Sequence, residues 1–210
     1  MSEEIKFEEI TDIDTAIEYL TNLGWFKEGD NELTEQEKDS IQRCINECTS
    51  PSKELIFNAF KGLEPEDVKV LIIGQDPYPE QGRADGMAFS FGNGKIATDS
   101  LKNIFEKLKE CGVDNGNNTS LEKWRNKEKI LLLNTALTYS KNVKKEYSVA
   151  AWKIFVDAII KRLIDTKKEK YPLVVMLWGG YANNLSKFKY VDKLTDEKYF
   201  EQHSNIKIFI

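Results

Sequence analysis

Four short apolar runs punctuate the chain: VKVLII from Val68 to Ile73, then KILLLN, YPLVVMLWGG and IKIFI. The first is apolar apart from Lys69, without the alternation that a half-exposed strand requires. A strand of that kind is covered on both faces. Between the runs lie stretches with helical character, and strands that alternate with helices imply crossover connections and a parallel sheet. The expected fold is therefore α/β, a three-layer αβα arrangement around a short, central, mainly parallel four-stranded sheet. No repeat, low-complexity segment or linker interrupts the 210 residues, so one domain spanning 1–210 is expected.

The helical stretches carry their own punctuation. DIDTAIEYLTNLG has a capping aspartate and stops at Gly24, and LTEQEKDSIQRCINECTS follows it. SPSKELIFNAFKGL reads as a helix with Pro51 in its first turn. DSLKNIFEKLKECG has Asp99 or Ser100 as its cap and Gly112 as its stop. SVAAWKIFVDAIIKRLIDTKK is a long amphipathic helix with a basic C-terminal end, and YANNLSKF starts another.

A net charge of −5 excludes coating of nucleic acid by bulk charge but leaves room for a local basic face. The acidic start, MSEEIKFEE, lacks the apolar core of a secretory signal, and no apolar run is long enough to span a bilayer. The three cysteines, Cys44, Cys48 and Cys111, form an odd set, which suggests free thiols in a reducing cytoplasm. A structural zinc site needs four good ligands, and His203 is the single histidine of the chain. No metal site is expected.

In open parallel sheets ligands bind beyond the carboxyl ends of the strands. Three of the runs end in polar or glycine-rich chemistry, as IIGQDPY, LLLNTALTY and MLWGGYANN. FGNGK is not a phosphate-binding loop, because Phe89 stands where the Walker pattern needs a glycine. It reads as a hairpin turn. On their own, Asp76 before Pro77 is a turn cap and Asn134 a turn amide.

GQDPY, GMAFS, SLKNIF, LLLNTALT and LWGGYANN, in this order between Gly74 and Asn184, resemble the motifs of family 1 uracil-DNA glycosylases. The resemblance covers about half the chain. It implies hydrolysis of the N-glycosidic bond of uracil in DNA, in base excision repair, after the nucleotide is flipped out of the helix. It assigns Asp76 to catalysis, as the carboxylate that stabilises the cationic sugar or orients the attacking water. It assigns Gln75, Tyr78, Phe89 and Asn134 to uracil. Gln75 contributes backbone contacts and Phe89 stacks on the base. Tyr78 fills the space beside C5 and so rejects thymine. The Asn134 carboxamide accepts from N3–H and donates to O4, a pattern that cytosine reverses. Ser100 is the surviving candidate for contact with a DNA phosphate. The partner implied is uracil-containing DNA, single- or double-stranded, bound by a monomer in the cytoplasm, with no membrane, metal or organic cofactor. Proteinaceous uracil-DNA glycosylase inhibitors are candidate partners as well.

The sequence departs from the family pattern at three places. Pro79 replaces a histidine after GQDPY, and KIATDS replaces a proline-rich DNA-gripping loop. IKIFI ends the sequence without the family's HPSPLS segment, whose histidine stabilises the departing uracil anion and whose leucine wedges into the base stack. His203 precedes the last strand, so that role is not transferred to it. These departures raise one alternative, a glycosylase fold that binds DNA or a protein with weakened catalysis. A metal-dependent nuclease built on Asp76, Glu80 and Asp85 is a third reading. Lys141, Lys144 and Lys145, beyond the LLLNTALTY strand end, are candidates for backbone phosphates.

Overall fold

A computed structural model describes residues 5–27, 33–92, 98–113, 118–167, 172–178 and 206–209. The apolar runs form four strands, β1 (Val70–Gly74), β2 (Ile130–Asn134), β3 (Leu173–Leu177) and β4 (Ile206–Phe209). Their order across the sheet is β2-β1-β3-β4, and every described pairing is parallel. Leu71, Ile72 and Ile73 are buried in succession, as are Leu131, Leu132 and Leu133. Consecutive burial requires cover on both faces of the sheet, which the helices of a three-layer α/β fold supply.

The helices are α1 (Ile13–Asn22), α2 (Glu35–Asn46), α3 (Asp99–Glu110), α4 (Glu122–Asn126) and α5 (Lys145–Lys167). The Asp12 side chain caps α1, accepting from the Thr15 amide at 2.8 Å. α2 packs on both α1 and α5. Trp25, Phe57, Phe60, Trp152 and Phe155 interlock edge to face within the core, and the Trp25 indole donates to the Leu63 carbonyl at 2.7 Å. Among the described residues no helix is long and apolar enough to cross a membrane.

Three helix readings need correction. SPSKELIFNAFKGL forms two separate 3₁₀ turns, Lys53–Leu55 and Asn58–Phe60, rather than one helix. Its segment is committed elsewhere, since Thr49, Ser50 and Tyr139 bond one another through their backbones. The cap of α3 is Thr98, whose hydroxyl accepts from the Leu101 amide at 3.3 Å, so Asp99 and Ser100 fall inside the first turn. α5 starts three residues before Ser148 and buries Phe155 through Ile160 without a break. A run longer than one turn leaves no polar face there, so the middle of α5 is enclosed rather than amphipathic. YANNLSKF, His203 and the last three residues of FGNGK, Asn93, Gly94 and Lys95, lie outside the described residues.

The chain leaves β1 toward β2 on one side of the sheet, and β3 leads to β4 on the other. The two connections diverge from the carboxyl ends of β1 and β3, and such a switch point opens a crevice between them.

Candidate active site

That crevice is a cavity of about 610 Å³. All six residues selected from the sequence line it, namely Gln75, Asp76, Tyr78, Phe89, Ser100 and Asn134. Lys145, Tyr139 and Trp178 line it too.

The β1 and β2 ends are zipped together. Gly74 is in register with Asn134, and beyond them the Thr135 amide donates to the Gly74 carbonyl at 3.0 Å. The Gln75 carbonyl accepts from the Ala136 amide at 3.2 Å and the Thr135 hydroxyl at 2.7 Å. The Gln75 carbonyl is thus fully engaged, while among the described residues its N–H meets no backbone acceptor. Gly74 is required by contact. A Cβ there would run into the Asn134 Oδ1, and would meet the Cβ of Ala88 at 2.8 Å. The buried Asn134 carboxamide thus packs directly against bare backbone at the floor of the cavity.

Tyr78 is held at three points. Its ring stacks on Phe91 with centroids 4.4 Å apart. Its carbonyl accepts from the Ser50 hydroxyl at 2.6 Å. Its phenol meets the Thr98 hydroxyl at 3.1 Å and donates to the Phe89 carbonyl at 3.3 Å. Burial pushes the phenol pKa up, which favours its neutral form.

Phe89 has a left-handed backbone, with φ of +65°, which costs a non-glycine residue about 1 kcal/mol or more. Its neighbours hold it there. The Ala88 amide donates to the Leu132 carbonyl at 3.0 Å, and the Phe91 amide to the Thr119 carbonyl at 3.0 Å. The Ser90 hydroxyl donates to the buried Asp85 carboxylate at 2.5 Å and accepts from the Leu121 amide at 2.9 Å. The Met87 amide donates to the other Asp85 oxygen at 3.2 Å. The strained residue thereby presents its ring to the cavity, 5.8 Å from the Trp178 ring.

Asp76 is mostly covered, with 21% of its side chain exposed, and its Oδ2 lies 3.0 Å from the Lys145 ammonium. Of the three lysines considered for phosphates, Lys145 lines this cavity, whereas Lys141 and Lys144 are exposed and do not.

The carboxylates of the nuclease reading do not converge. Glu80 pairs with Arg83 at 2.7 Å, and Asp85 serves the Phe89 loop and lines a different cavity from Asp76. Among the described residues no three histidine, cysteine, aspartate or glutamate side chains group as metal ligands. Cys44, Cys48 and Cys111 are unpaired thiols, and burial pushes Cys48 up to about 11.

The sequence reading missed Thr98, Trp178 and Tyr139 as site residues. Trp178 carried a signal, since it closes the VVMLW run at a strand end. Thr98 and Tyr139 carried none, because their roles depend on contacts across the fold.

The model of the uracil DNA glycosylase superfamily matches residues 60–208, a span that includes all four strands up to Ile208 and every residue of the cavity. The chain belongs to that superfamily. The uracil-DNA glycosylase of Campylobacter fetus is 40% identical over 133 residues, covering 63% of this chain and 56% of the relative. That of Gallid herpesvirus 2 is 38% identical over 146 residues, covering 69% of this chain and 45% of the relative. The chain therefore spans about half the length of these relatives. The crystal structure of mimivirus uracil-DNA glycosylase superposes with a TM-score of 0.67 at 21% identity, covering 98% of this chain and 70% of that one. The superfamily's three-layer α/β architecture is thus that of this chain, with the cavity at the carboxyl edge of its sheet.

Proposed function

We propose that the chain hydrolyses the N-glycosidic bond joining uracil to deoxyribose in DNA. The observation that carries this reading is the meeting of Asp76, Asn134 and Phe89 in one cavity. Membership of the superfamily supports it, as do the names of the curated relatives. A base stacked inside a duplex is out of reach of these side chains, so the nucleotide is flipped out before it reacts. Phe89 stacks on the base, and Asn134 reads its edge through one accepted and one donated hydrogen bond. Tyr78, clamped between Phe91, Thr98 and Ser50, stands as a rigid wall against the methyl group of thymine. As the glycosidic bond breaks, its electron pair leaves with uracil and the sugar becomes cationic. Asp76 stabilises that cation and orients the water that adds to the anomeric carbon. The water's surplus proton is lost and the departing uracil anion takes one up, which balances the hydrolysis. Action as a monomer belongs to the same reading, and none of the steps calls on a metal or organic cofactor.

The test is single-turnover excision from a single-stranded oligonucleotide containing one deoxyuridine, with and without EDTA. Asp76→Asn is expected to lower the rate by about 10²–10⁴-fold, the usual range for a positioned acid–base group. EDTA is expected to change nothing. Equal rates for variant and parent would remove Asp76 from the mechanism.

A further inference from the structure

We propose that Lys145 is an electrostatic latch on Asp76, closed in the free protein and released when its ammonium passes to a phosphate of bound DNA. The identity of that phosphate rests on the glycosylase reading. The pair itself is a feature of the fold. Lys145 Nζ stands 3.0 Å from Asp76 Oδ2, with the lysine side chain 44% exposed and the carboxylate 21%. The lysine is the more exposed member of the pair, and both side chains line the cavity that a ligand would enter. Its backbone is fixed, because Lys145 opens α5 and the Lys144 carbonyl accepts from the Tyr147 and Ser148 amides at 3.0 and 3.1 Å. The four-carbon stem above that anchor remains able to swing.

The chemistry requires the pair to loosen. An ammonium 3 Å from a carboxylate offsets the negative charge that stabilises a cationic sugar. A closed latch thus opposes the step proposed for Asp76. The sugar that reaches Asp76 brings its own phosphates on either side, within reach of a lysine that already touches the site. A partly exposed ion pair is weak, while a lysine–phosphate contact gains from counterion release, so the exchange is inexpensive. In the free protein the closed latch compensates the charge of the mostly covered Asp76 carboxylate. Lys141 and Lys144 precede α5 and lie outside the cavity, so the exchange belongs to Lys145.

The test is a double-mutant cycle on binding. The probe is a fluorescent single-stranded oligonucleotide carrying 2′-fluoro-2′-deoxyuridine, whose fluorine disfavours the cationic sugar and keeps the probe intact. Asp76→Asn is expected to tighten binding in the parent by up to about fivefold more than it does in a Lys145→Gln background, the factor that a partly exposed pair can supply. Lys145→Gln alone should weaken binding and make the slope of log K against log salt shallower by about 0.7, one phosphate contact on a single strand. Lys145→Arg should retain both the coupling and the slope. Equal gains from Asp76→Asn in the two backgrounds, or an unchanged salt slope, would overturn the latch. Excision of ordinary deoxyuridine by the parent is measured separately. Coupling without excision would sustain the latch and remove the proposed function, and excision without coupling would do the reverse. A parent that does not bind the probe overturns the latch as well.

Discussion

Asn134 is buried at the cavity wall, with bare Gly74 backbone against its carboxamide and 7% of the residue exposed. The carboxamide brings one donor and one acceptor to that wall. Asn134→Asp keeps the shape and the acceptor and loses the donor to O4 unless the new acid is protonated. The preference for uracil over cytosine is expected to fall by about tenfold or more, the cost of one unpaired buried polar group. Competing excision of deoxyuridine and deoxycytidine oligonucleotides measures it, and an unchanged ratio would refute edge reading. The strand ends pointed to where a ligand would bind, and the family resemblance, rather than position alone, singled out Asn134 and Asp76 there. The pairing of Lys145 with Asp76 was not legible. It depends on the point at which α5 begins and on how close that point comes to the loop after β1, and neither is a local property.

The elements carry the site through their ends. Thr98 caps α3 and also meets the Tyr78 phenol, so one hydroxyl ties a helix start to the cavity wall. Thr98→Ala is expected to cost about 0.5–2 kcal/mol in urea denaturation, the usual range for a lost N-cap. Rejection of thymine should loosen with it, and Thr98→Ser should restore both. Unaltered stability would show that Asp99 or Ser100 takes over as cap. The loop from Asp85 to Phe91 supplies a pH test. Burial raises the Asp85 pKa above its ordinary value of 3.8, against the lowering effect of the Ser90 and Met87 hydrogen bonds. A carboxyl whose pKa is raised on folding contributes stability that is full below pH 3.8 and is lost as pH rises through the folded value. Asp85→Asn should therefore flatten the fall in stability above about pH 4, read as urea midpoints across pH. A fall of the same steepness in the variant would show that another group titrates there. The strands were legible from uninterrupted apolar runs. The 3₁₀ turns after Pro51 were not, because Asn58 there supports the Asp85 carbonyl at 2.7 Å and answers to a tertiary contact rather than to helical period.

At the scale of the whole molecule, parallel pairing followed from alternating strands and helices, but the order β2-β1-β3-β4 did not, since strand order is set by which sheet edge each crossover returns to. That order brings the β1 and β3 ends to one crevice in a chain whose net charge is −5. An anionic protein proposed to bind a polyanion has two opposing salt effects. Release of counterions by local lysines makes binding weaker as salt rises. Repulsion by the total charge is screened by salt and makes binding stronger. The two differ in range. At 0.1 M salt the Debye length is about 10 Å, so charges on remote faces are silent while contacts at the cavity mouth are not. At 0.01 M it is about 30 Å, and the whole molecule is felt. If Lys141, Lys144 and Lys145 each meet a phosphate of a single strand, log K should fall against log salt with a slope of about −2 above 0.1 M. The line should flatten toward 0.01 M, where the repulsion it no longer screens offsets the counterion gain. Anisotropy titrations of an uncleavable oligonucleotide across that range measure both parts. A flat line above 0.1 M would remove phosphate contacts from the binding mode. A straight line down to 0.01 M would mean that the acidic surface faces away from the path of the DNA.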